Sequence, residues 1–242
     1  MSSSPERQAF WLLKNINRAI YQHGMFAHGD RIAVALSGGK DSLSLLRLLD
    51  FRRKYVLEDY ELVAIHVQSD ARGPDTPAHQ PLISWLEQSG FPYSIEPIRI
   101  ADDETLPMGC HRCAWNRRHT LFEAAARLGC GVIAFGHHAD DLAQTTLLNL
   151  LYHGRVETMS PCRDYFEGRL RLVRPLCYTA ERDIRRFARA NDFPPAPPEC
   201  PQSNHSRRAL IARLLNGIEK DVPCAKANLL RAGLLGSQAI DI

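Results

Sequence analysis

A short run of small and charged residues follows an apolar segment and has the properties of a phosphate site. The run consists of Ser37, Gly38, Gly39, Lys40, Asp41 and Ser42, between the apolar residues 31–36 and a helical pattern. Successive backbone N–H groups, the positive end of the following helix and the charge of Lys40 would attract an anion. Asp41 would repel phosphate unless it binds Mg²⁺, which then bridges it to a pyrophosphate group. The sequence therefore predicts a site for a magnesium-bound polyphosphate.

This loop differs from the two commonest nucleotide-binding loops. The ATPase pattern G-x-x-x-x-G-K-[ST] fails, because Val34 replaces its first glycine and Asp41 replaces its hydroxyl residue. The dinucleotide pattern G-x-G-x-x-G fails because no third glycine opens the helix. An accidental glycine turn is disfavoured, since six small or charged residues in a row follow a strand directly.

The cysteines offer a second centre with different chemistry. Cys110 and Cys113 form a C-x-x-C pair before a predicted helix, and Cys200 lies in a loop bounded by turn residues. Three thiolates could bind zinc with His111 as a fourth ligand, or an iron–sulfur cluster with one open iron. Redox use of the pair is a third alternative, but it leaves the anion loop unexplained. Buried, unreactive thiols are expected at Cys130, Cys162 and Cys177.

A third polar group, residues 136–141, follows another apolar segment and contains two histidines and two aspartates. Such pairs at a helix start often serve only as caps that interact with the helix dipole. The functional alternative is that Gly136 and His137 contact a nucleotide, and that Asp141 is a second carboxylate opposite Asp41. We expect Lys40, Asp41 and Asp141 to be the catalytic residues.

Alternating strand and helix patterns must bring these groups together. Apolar segments at 31–36, 61–67, 93–100 and 131–138 predict four strands, with helical periodicity between them. This alternation predicts an α/β fold with a parallel, doubly wound sheet covered on both faces. Ligands in such sheets bind at the carboxyl ends of the strands, where all three polar groups fall.

Changes in composition and periodicity divide the chain into three predicted parts. Residues 1–28 contain an amphipathic helix, residues 29–178 the α/β core, and residues 179–242 a helical segment that carries the third cysteine. An edge strand is predicted at 171–176, and Thr179 is the expected N-cap of the helix after it. The tail past Val222 shows little pattern.

Composition indicates an ordinary globular protein. The chain has 242 residues, 45% hydrophobic and 24% charged, with a net charge of +3 that permits nucleic-acid binding. Seven cysteines without an export signal favour reduced thiols over a disulfide framework. No apolar run is long enough for a membrane span, so we expect a cytoplasmic protein.

The three motifs together resemble those of a known family. Residues 37–42 are similar to the PP-loop of the N-type ATP pyrophosphatase superfamily, whose members adenylate a substrate. Together with residues 108–113, residues 136–154 and Cys200, they resemble the tRNA 2-thiocytidine synthetase family. The resemblance covers roughly residues 30–215.

This resemblance implies an ATP-dependent tRNA sulfurtransferase. ATP would bind the loop with Mg²⁺, and the C2 oxygen of the cytidine at tRNA position 32 would attack the α-phosphate. Pyrophosphate would leave, and a cluster-bound sulfide would then displace AMP to give 2-thiocytidine. The resemblance implies a [4Fe-4S] cluster on Cys110, Cys113 and Cys200. It also implies a sulfur donor such as a cysteine desulfurase, and a homodimer.

Arginines supply the expected tRNA contacts. They are Arg117, Arg118, Arg185, Arg186, Arg207 and Arg208. A basic helix is more often a solvated face than an RNA site. Four arginines within residues 182–189 weaken that preference and favour an RNA site. No aromatic-rich RNA-stacking motif is visible.

Two other functions stay open on the sequence alone. A related enzyme could thiolate uridine or a substrate other than tRNA, because the base-recognition pocket leaves no readable pattern. A nucleotide-binding metal or cluster sensor could use the same ligands without turnover. The paired carboxylates at Asp41 and Asp140 or Asp141 favour turnover over the sensor.

Overall fold

The computed structural model describes residues 5–70, 72–198, 200 and 206–238, which form one six-stranded sheet with helices on both faces. The strands are β1 (Arg31–Leu36), β2 (Glu61–Gln68), β3 (Tyr93–Pro97), β4 (Val132–Ala134), β5 (Cys162–Tyr165) and β6 (Leu170–Val173). The helices are α1 (Pro5–Gln22), α2 (Lys40–Arg52), α3 (Gln80–Ser89), α4 (Cys110–Arg127), α5 (Ala139–His153), α6 (Glu181–Arg189), α7 (Arg207–Asp221) and α8 (Ala225–Gln238).

The sheet order places the predicted loops side by side. The order is β3-β2-β1-β4-β6-β5, and neighbouring strands are parallel except for the antiparallel pair β5 and β6. Chain order reverses between β1 and β4, and ligands bind in the crevice at such a switch point. The loops after β1 and β4 flank this crevice. The prediction of an α/β fold with a parallel, doubly wound sheet is confirmed.

Alternate residues of β1 pack into two separate cores. Ile32 and Val34 pack on the face covered by α1, α2 and α6, whereas Ala33 packs on the face covered by α4. The alternation follows from the strand period of two residues, which directs successive side chains to opposite faces. Both faces of the central strands are therefore buried, and the carboxyl ends of the strands are left for ligands.

Two local predictions next to the site are wrong. Strand β6 is internal, because β5 pairs with it and forms the edge of the sheet. Helix α6 has Ala180, not Thr179, as its N-cap. The side chain of Asp140 accepts a hydrogen bond from the backbone N–H of Glu181 at 2.8 Å. A capping oxygen from another helix thus replaces the expected local one.

Within the tail past Val222, residues Ala225–Gln238 form helix α8, which packs closely on α5. A Cβ atom at Gly233 would overlap Thr146 Oγ1, and one at Gly236 would overlap the carbonyl oxygen of Val156. Glycine weakens a helical pattern in sequence, yet here it allows the backbone of α8 to approach its neighbours.

The division into three parts stays a prediction. Helices α1 and α6 contribute Ile16, Ile184 and Phe187 to the core that the sheet also builds. Among the described helices, none has the length and apolar character needed to cross a bilayer.

Candidate active site

The loop between β1 and α2 forms the floor of the candidate site. Gly38 has a φ of +81°, a conformation that residues with a side chain rarely adopt. Ser37 Oγ accepts the backbone N–H of Gly39 at 3.2 Å, and Ser42 Oγ donates to the carbonyl of Gly39 at 3.0 Å. Gly39 is the N-cap of α2 and has no side chain to cap the helix. The positive end of α2 is therefore available for an anion.

Lys40 is held by two carboxylates. Its Nζ lies 3.0 Å from Asp41 Oδ2 and 3.0 Å from Glu181 Oε1. Burial acts to lower the pKa of Lys40, but the two carboxylates outweigh burial and raise it. Burial also acts to raise the pKa of Glu181, but hydrogen bonds from Arg185 and Lys40 hold it at about 2. Lys40 and Glu181 are therefore a charged pair at neutral pH.

Asp41 has the environment of a cation ligand. Its Oδ1 atom is buried and has no hydrogen-bond partner among the described residues. A buried carboxylate oxygen without a donor is costly unless a cation or another partner satisfies it. Oxygen ligands of this type suit Mg²⁺ bound to phosphate, so the site fits the ion that the sequence predicts.

Gly136 brings the end of β4 against the phosphate loop. A Cβ atom at this position would lie 3.0 Å from the carbonyl carbon of Asp41 and 3.0 Å from the nitrogen of Ser42. A side chain would therefore push α2 away from β4. The glycine sets the distance between the two loops that flank the crevice.

His137 is neutral and has one favoured tautomer. Arg174 Nε donates to His137 Nδ1 at 3.3 Å, and Phe135 stacks on the imidazole with ring centroids 5.6 Å apart. Burial lowers the pKa of His137 to about 3, and the charge of Arg174 acts in the same direction. Because Nδ1 accepts a hydrogen bond, the proton of the neutral ring lies on Nε2. His137 is thus a hydrogen-bond donor at the end of β4.

Asp141 and Asp41 lie on either side of His138. The Nε2 atom of His138 is 3.4 Å from Asp141 Oδ2 and 3.8 Å from Asp41 Oδ1. Asp141 Oδ2 also accepts the backbone N–H of His138 at 3.0 Å, and its Oδ1 pairs with Arg208 at 2.9 Å. The structure thus brings the two aspartates of the predicted catalytic set together, and Asp141 is also part of the cap of α5.

Asp140 holds the C-terminal helices in place. Its Oδ2 caps α6 through the backbone N–H of Glu181, and its Oδ1 lies 2.9 Å from Lys226 Nζ on α8. Lys226 also pairs with Glu219 of α7 at 2.7 Å. Asp140 is therefore a structural link, whereas Asp141 faces the phosphate loop through His138.

The three predicted cysteine ligands come from two distant segments. Cys110 is exposed in the first turn of α4, and Cys113 and Cys200 are half-buried. Burial raises the pKa of Cys113, Arg117 acts to lower it, and Cys200 and Cys110 act to raise it. Cys110 and Cys200 therefore each lie within electrostatic range of Cys113. Within the described ranges, no group of three or more His, Cys, Asp or Glu residues is placed to hold a single metal ion.

A proline-rich connector follows α6 and contains Cys200. Its Pro195 carbonyl accepts a hydrogen bond from His79 Nε2 at 2.8 Å, before α3. Pro197 packs over the phosphate loop, because a Cβ atom on Gly38 would lie 2.9 Å from Pro197 Cδ. The connector therefore contacts the anion site and then reaches the cysteine group.

Three thiols, two of them at the start of α4 and one on the connector, fit an iron–sulfur cluster by donor type. Cysteine thiolates are the usual ligands of such clusters. The positive end of α4 favours the negative charge of thiolate ligands. The same donors also suit zinc, so the donor set alone does not choose between the two.

The six candidate arginines are all exposed and lie on three helices. Arg185 pairs with Glu181 at 2.8 Å, and Arg207 lies over the ring of Tyr152 at 4.6 Å. Arg208 pairs with Asp141 and therefore lies beside the anion site. Arg117, on α4, is close enough to Cys113 to act on its pKa. The structure therefore places arginines beside both the anion loop and the cysteines.

Sequence reasoning did not include Arg174 and Glu181 in the site. Arg174 follows β6, a strand predicted at the edge of the sheet, and Glu181 is in the first turn of α6. Neither belongs to a motif, and both reach the site only because their elements pack beside β4 and α2. A prediction that β6 pairs with β4 would have suggested Arg174.

Comparisons with known proteins give one consistent family. A family model described as a PP-loop domain matches residues 12–216. The tRNA-cytidine(32) 2-sulfurtransferase of Anaeromyxobacter dehalogenans is 39% identical over 230 residues, which are 91% of this chain and 77% of that protein. The protein of the same name from Geobacter sulfurreducens is 37% identical over 228 residues, 91% of this chain and 88% of that protein.

A solved structure shares the fold. The U34-tRNA thiolase NcsA from Methanococcus maripaludis, determined with its [4Fe-4S] cluster, has a TM-score of 0.66 and 22% identity. The match covers 91% of this chain and 76% of that chain. With the phosphate loop, the Gly136 contact and the cysteine group in place, the chain belongs to the PP-loop family and, within it, to the tRNA-cytidine(32) 2-sulfurtransferases.

Proposed function

We propose that this chain uses ATP to replace the C2 oxygen of cytidine 32 in a tRNA anticodon loop with sulfur. Relatives of that name align with about nine-tenths of the chain. The observation that carries the proposal is the contact of Pro197 with Gly38, on a connector that leads to Cys200. Through this contact, the segment that carries Cys200 touches the loop that would bind and activate ATP.

The phosphate loop would perform the activating step. The C2 oxygen of the cytidine forms a bond to the α-phosphorus of ATP, the bond to the β-phosphate oxygen breaks, and pyrophosphate leaves. Lys40 and the positive end of α2 stabilise the charge that develops on the phosphates. Asp41 would hold Mg²⁺ through its buried Oδ1, and the ion would add charge neutralisation at the leaving group. His137 donates a hydrogen bond from Nε2 in the same crevice.

The cysteine group would serve the second step. Cys110, Cys113 and Cys200 would hold a [4Fe-4S] cluster, and the chemistry that it would supply when bound is sulfide as the nucleophile that replaces AMP at C2. Pro197 keeps the connector against the phosphate loop, and the Pro195 carbonyl ties it to His79 before α3. Holding the two reacting centres together replaces a chance encounter by a positioned reaction.

Partners follow from the same chemistry. A tRNA would contact Arg117, Arg118, Arg185, Arg186, Arg207 and Arg208. A cysteine desulfurase together with a thiol reductant, or another donor of sulfide, would supply the sulfur in the cytoplasm. Exposed apolar side chains on α5, α7 and α8 support a homodimer through these helices, because such side chains often lie in protein interfaces. They are Leu150, Leu151, Leu210, Leu214, Ile218 and Leu235.

The experiment compares the wild-type protein with Cys200→Ala and Cys224→Ala after anaerobic purification. Cys224 is exposed and precedes α8, so it is a matched control. We expect about four iron and acid-labile sulfide per chain in the wild type and the control, and loss of both in Cys200→Ala. Nucleoside analysis of tRNA incubated with ATP and a sulfide source should show 2-thiocytidine. Stoichiometric zinc, or a thiolated uridine, would contradict the proposal.

A further inference from the structure

His66 is a buried histidine at the carboxyl end of β2, beside the phosphate loop. Only 7% of its surface is exposed. In the parallel register it lies opposite Leu36, the last residue of β1, and Ser37 then begins the loop. Strand β2 continues to Gln68, so His66 lies at the level at which β1 ends and the ligand crevice begins. The two steps of the proposed function do not use this histidine.

One hydrogen bond fixes the tautomer of His66. Its Nδ1 lies 2.8 Å from the carbonyl oxygen of Leu36, and a carbonyl oxygen can only accept, so Nδ1 carries the proton. Burial lowers the pKa of His66, the hydrogen bond to Leu36 acts to raise it, and the charges of His79 and Arg117 act to lower it further. The ring is therefore neutral at pH 7, and Nε2 presents a lone pair.

The lone pair on Nε2 of His66 is available to a ligand. Within the part of the chain that the structure describes, the bond from Nδ1 is the only hydrogen bond of this side chain. Nε2 is not one of the polar atoms that are both enclosed and unpaired, so it stays accessible although the ring is buried. A bound molecule that covered Nε2 without donating to it would lose free energy. The atom is therefore suited to an N–H donor.

Apolar side chains surround this acceptor. His66 alternates with Ile65 and Val67, which pack on the face covered by α4, so it lies on the face that carries Leu82 of α3. A Cβ atom on Gly38 would lie 3.5 Å from Leu82 Cδ2 and 2.9 Å from Pro197 Cδ. Apolar walls with one placed polar atom are typical of small-molecule and cofactor sites.

His66 also lies between the two reactive regions. Its hydrogen-bond partner Leu36 directly precedes the phosphate loop. Arg117 of α4 is close enough to affect the pKa of both His66 and Cys113. The base of an ATP bound at the loop lies one nucleoside length from its phosphates. A base that is first adenylated and then thiolated must meet both regions. The position therefore suits a nucleobase.

We propose that Nε2 of His66 accepts a hydrogen bond from the exocyclic amino group of a nucleobase and thereby selects that base. Cytosine and adenine both carry such a group beside a ring nitrogen, whereas uracil and hypoxanthine carry an oxygen there. That oxygen would place a second lone pair against Nε2, and a site built for a donor rejects such an analogue. This inference rests on the proposed function and deepens it, because it assigns a specificity-determining residue for the target cytidine or for ATP.

The test measures substrate preferences within one protein, because a folding defect lowers the rates on both substrates together. Pyrophosphate release is compared for tRNA with cytidine or uridine at position 32, and for ATP or inosine triphosphate. His66→Phe keeps a ring but removes the acceptor, whereas His66→Asn keeps a donor and an acceptor. We expect His66→Phe to lose about tenfold or more of the preference for the amino base in at least one comparison, and His66→Asn to keep part of it. The comparison that changes identifies the base.

Ile65→Ala is the matched control. Ile65 is 1% exposed on the same strand but packs on the opposite face of the sheet. Its loss should lower stability and leave both preferences as in the wild type. A change of preference in Ile65→Ala equal to that in His66→Phe would contradict the inference, because any damage to β2 would then have the same effect.

The outcomes separate this inference from the proposed function. If His66→Phe slowed all reactions equally and kept both preferences, His66 would only support the end of β1, and the selection role would be overturned. A wild-type protein that thiolates tRNA but shows neither preference would also overturn it. A wild-type protein that releases no pyrophosphate with tRNA and forms no 2-thiocytidine would instead disprove the proposed function.

Discussion

The phosphate loop and the cysteine group are built in opposite ways. Residues 37–42 are consecutive, and the end of β1, the start of α2 and the close approach of Gly136 determine their geometry. The cysteines come from the start of α4 and from Cys200, which a connector carries across the site from α6. A local motif is shaped by its own backbone, whereas a composite site depends on the contacts that hold its segments. Substitutions should therefore affect the two regions separately.

The largest effect is expected at Asp41. Replacing it by asparagine removes a negative charge from the buried Oδ1 that we assign to Mg²⁺. A bound metal ion contributes several kcal/mol to such chemistry, so ATP cleavage should fall on the order of 100- to 1,000-fold. Pyrophosphate release in the presence of tRNA measures this.

Asp50→Asn is the control for that substitution, because Asp50 lies near the other end of α2 and pairs with Arg53. Its ATP cleavage should match that of the wild type. Iron content should be unchanged in both variants, since the cysteine group does not depend on Asp41. Cleavage in Asp41→Asn within tenfold of the wild type would contradict the assignment of the magnesium ligand.

Gly136→Ala should have the next largest effect. The added Cβ would lie 3.0 Å from backbone atoms of Asp41 and Ser42, and backbone cannot move away as a flexible side chain can. Overpacking of this kind costs about 1–3 kcal/mol of stability and should raise the KM for ATP. Urea denaturation and pyrophosphate release measure the two effects. Gly131→Ala is the control, because a Cβ there has nothing within 4 Å. Equal stability of the two variants would show that β4 and α2 can separate at no cost.

The sequence predicts the regular parts of the molecule and the local site, but not the long-range contacts. Strand β1 is predicted to the residue, because its apolar run ends at the glycine loop. Helix α8 is not predicted, since Gly233 and Gly236 obscure its pattern although they allow its packing. In the site, residues 37–42 are visible as a motif. Arg174 and Glu181 are not, because they reach His137 and Lys40 only through the pairing of β6 with β4 and the packing of α6 on α2.

His79→Ala should affect the cysteine region more than the phosphate loop. The substitution removes the hydrogen bond to the Pro195 carbonyl at 2.8 Å, which holds the connector before Cys200. One hydrogen bond contributes about 0.5–1.5 kcal/mol, so the yield of 2-thiocytidine per pyrophosphate should fall roughly two- to tenfold. The control is His153→Ala, an exposed histidine at the end of α5. If pyrophosphate release fell as much as thiolation, the connector would support both regions. The phosphate loop and the cysteine group would then not respond separately to substitution.

The smallest effect is expected from Glu181→Gln and depends on pH. Burial acts to raise the pKa of Glu181, but hydrogen bonds from Arg185 and Lys40 hold it at about 2, below its ordinary value of 4.5. The ionised form is therefore favoured in the folded protein. Its stabilisation is complete above pH 4.5 and is lost as the pH falls through about 2. Because the pair is partly solvated, the contribution is about 1 kcal/mol or less.

Urea midpoints of the wild type and Glu181→Gln should therefore differ at pH 6 and converge near pH 2. Acid could also act on the cysteine group, but both proteins carry the same cysteines. Comparing the two proteins at the same pH therefore cancels that effect. Glu87→Gln, on the exposed side of α3, should follow the wild type at both pH values. A difference between the wild type and Glu181→Gln that persists at pH 2 would mean that Glu181 stabilises α6 by packing rather than by its charge on Lys40.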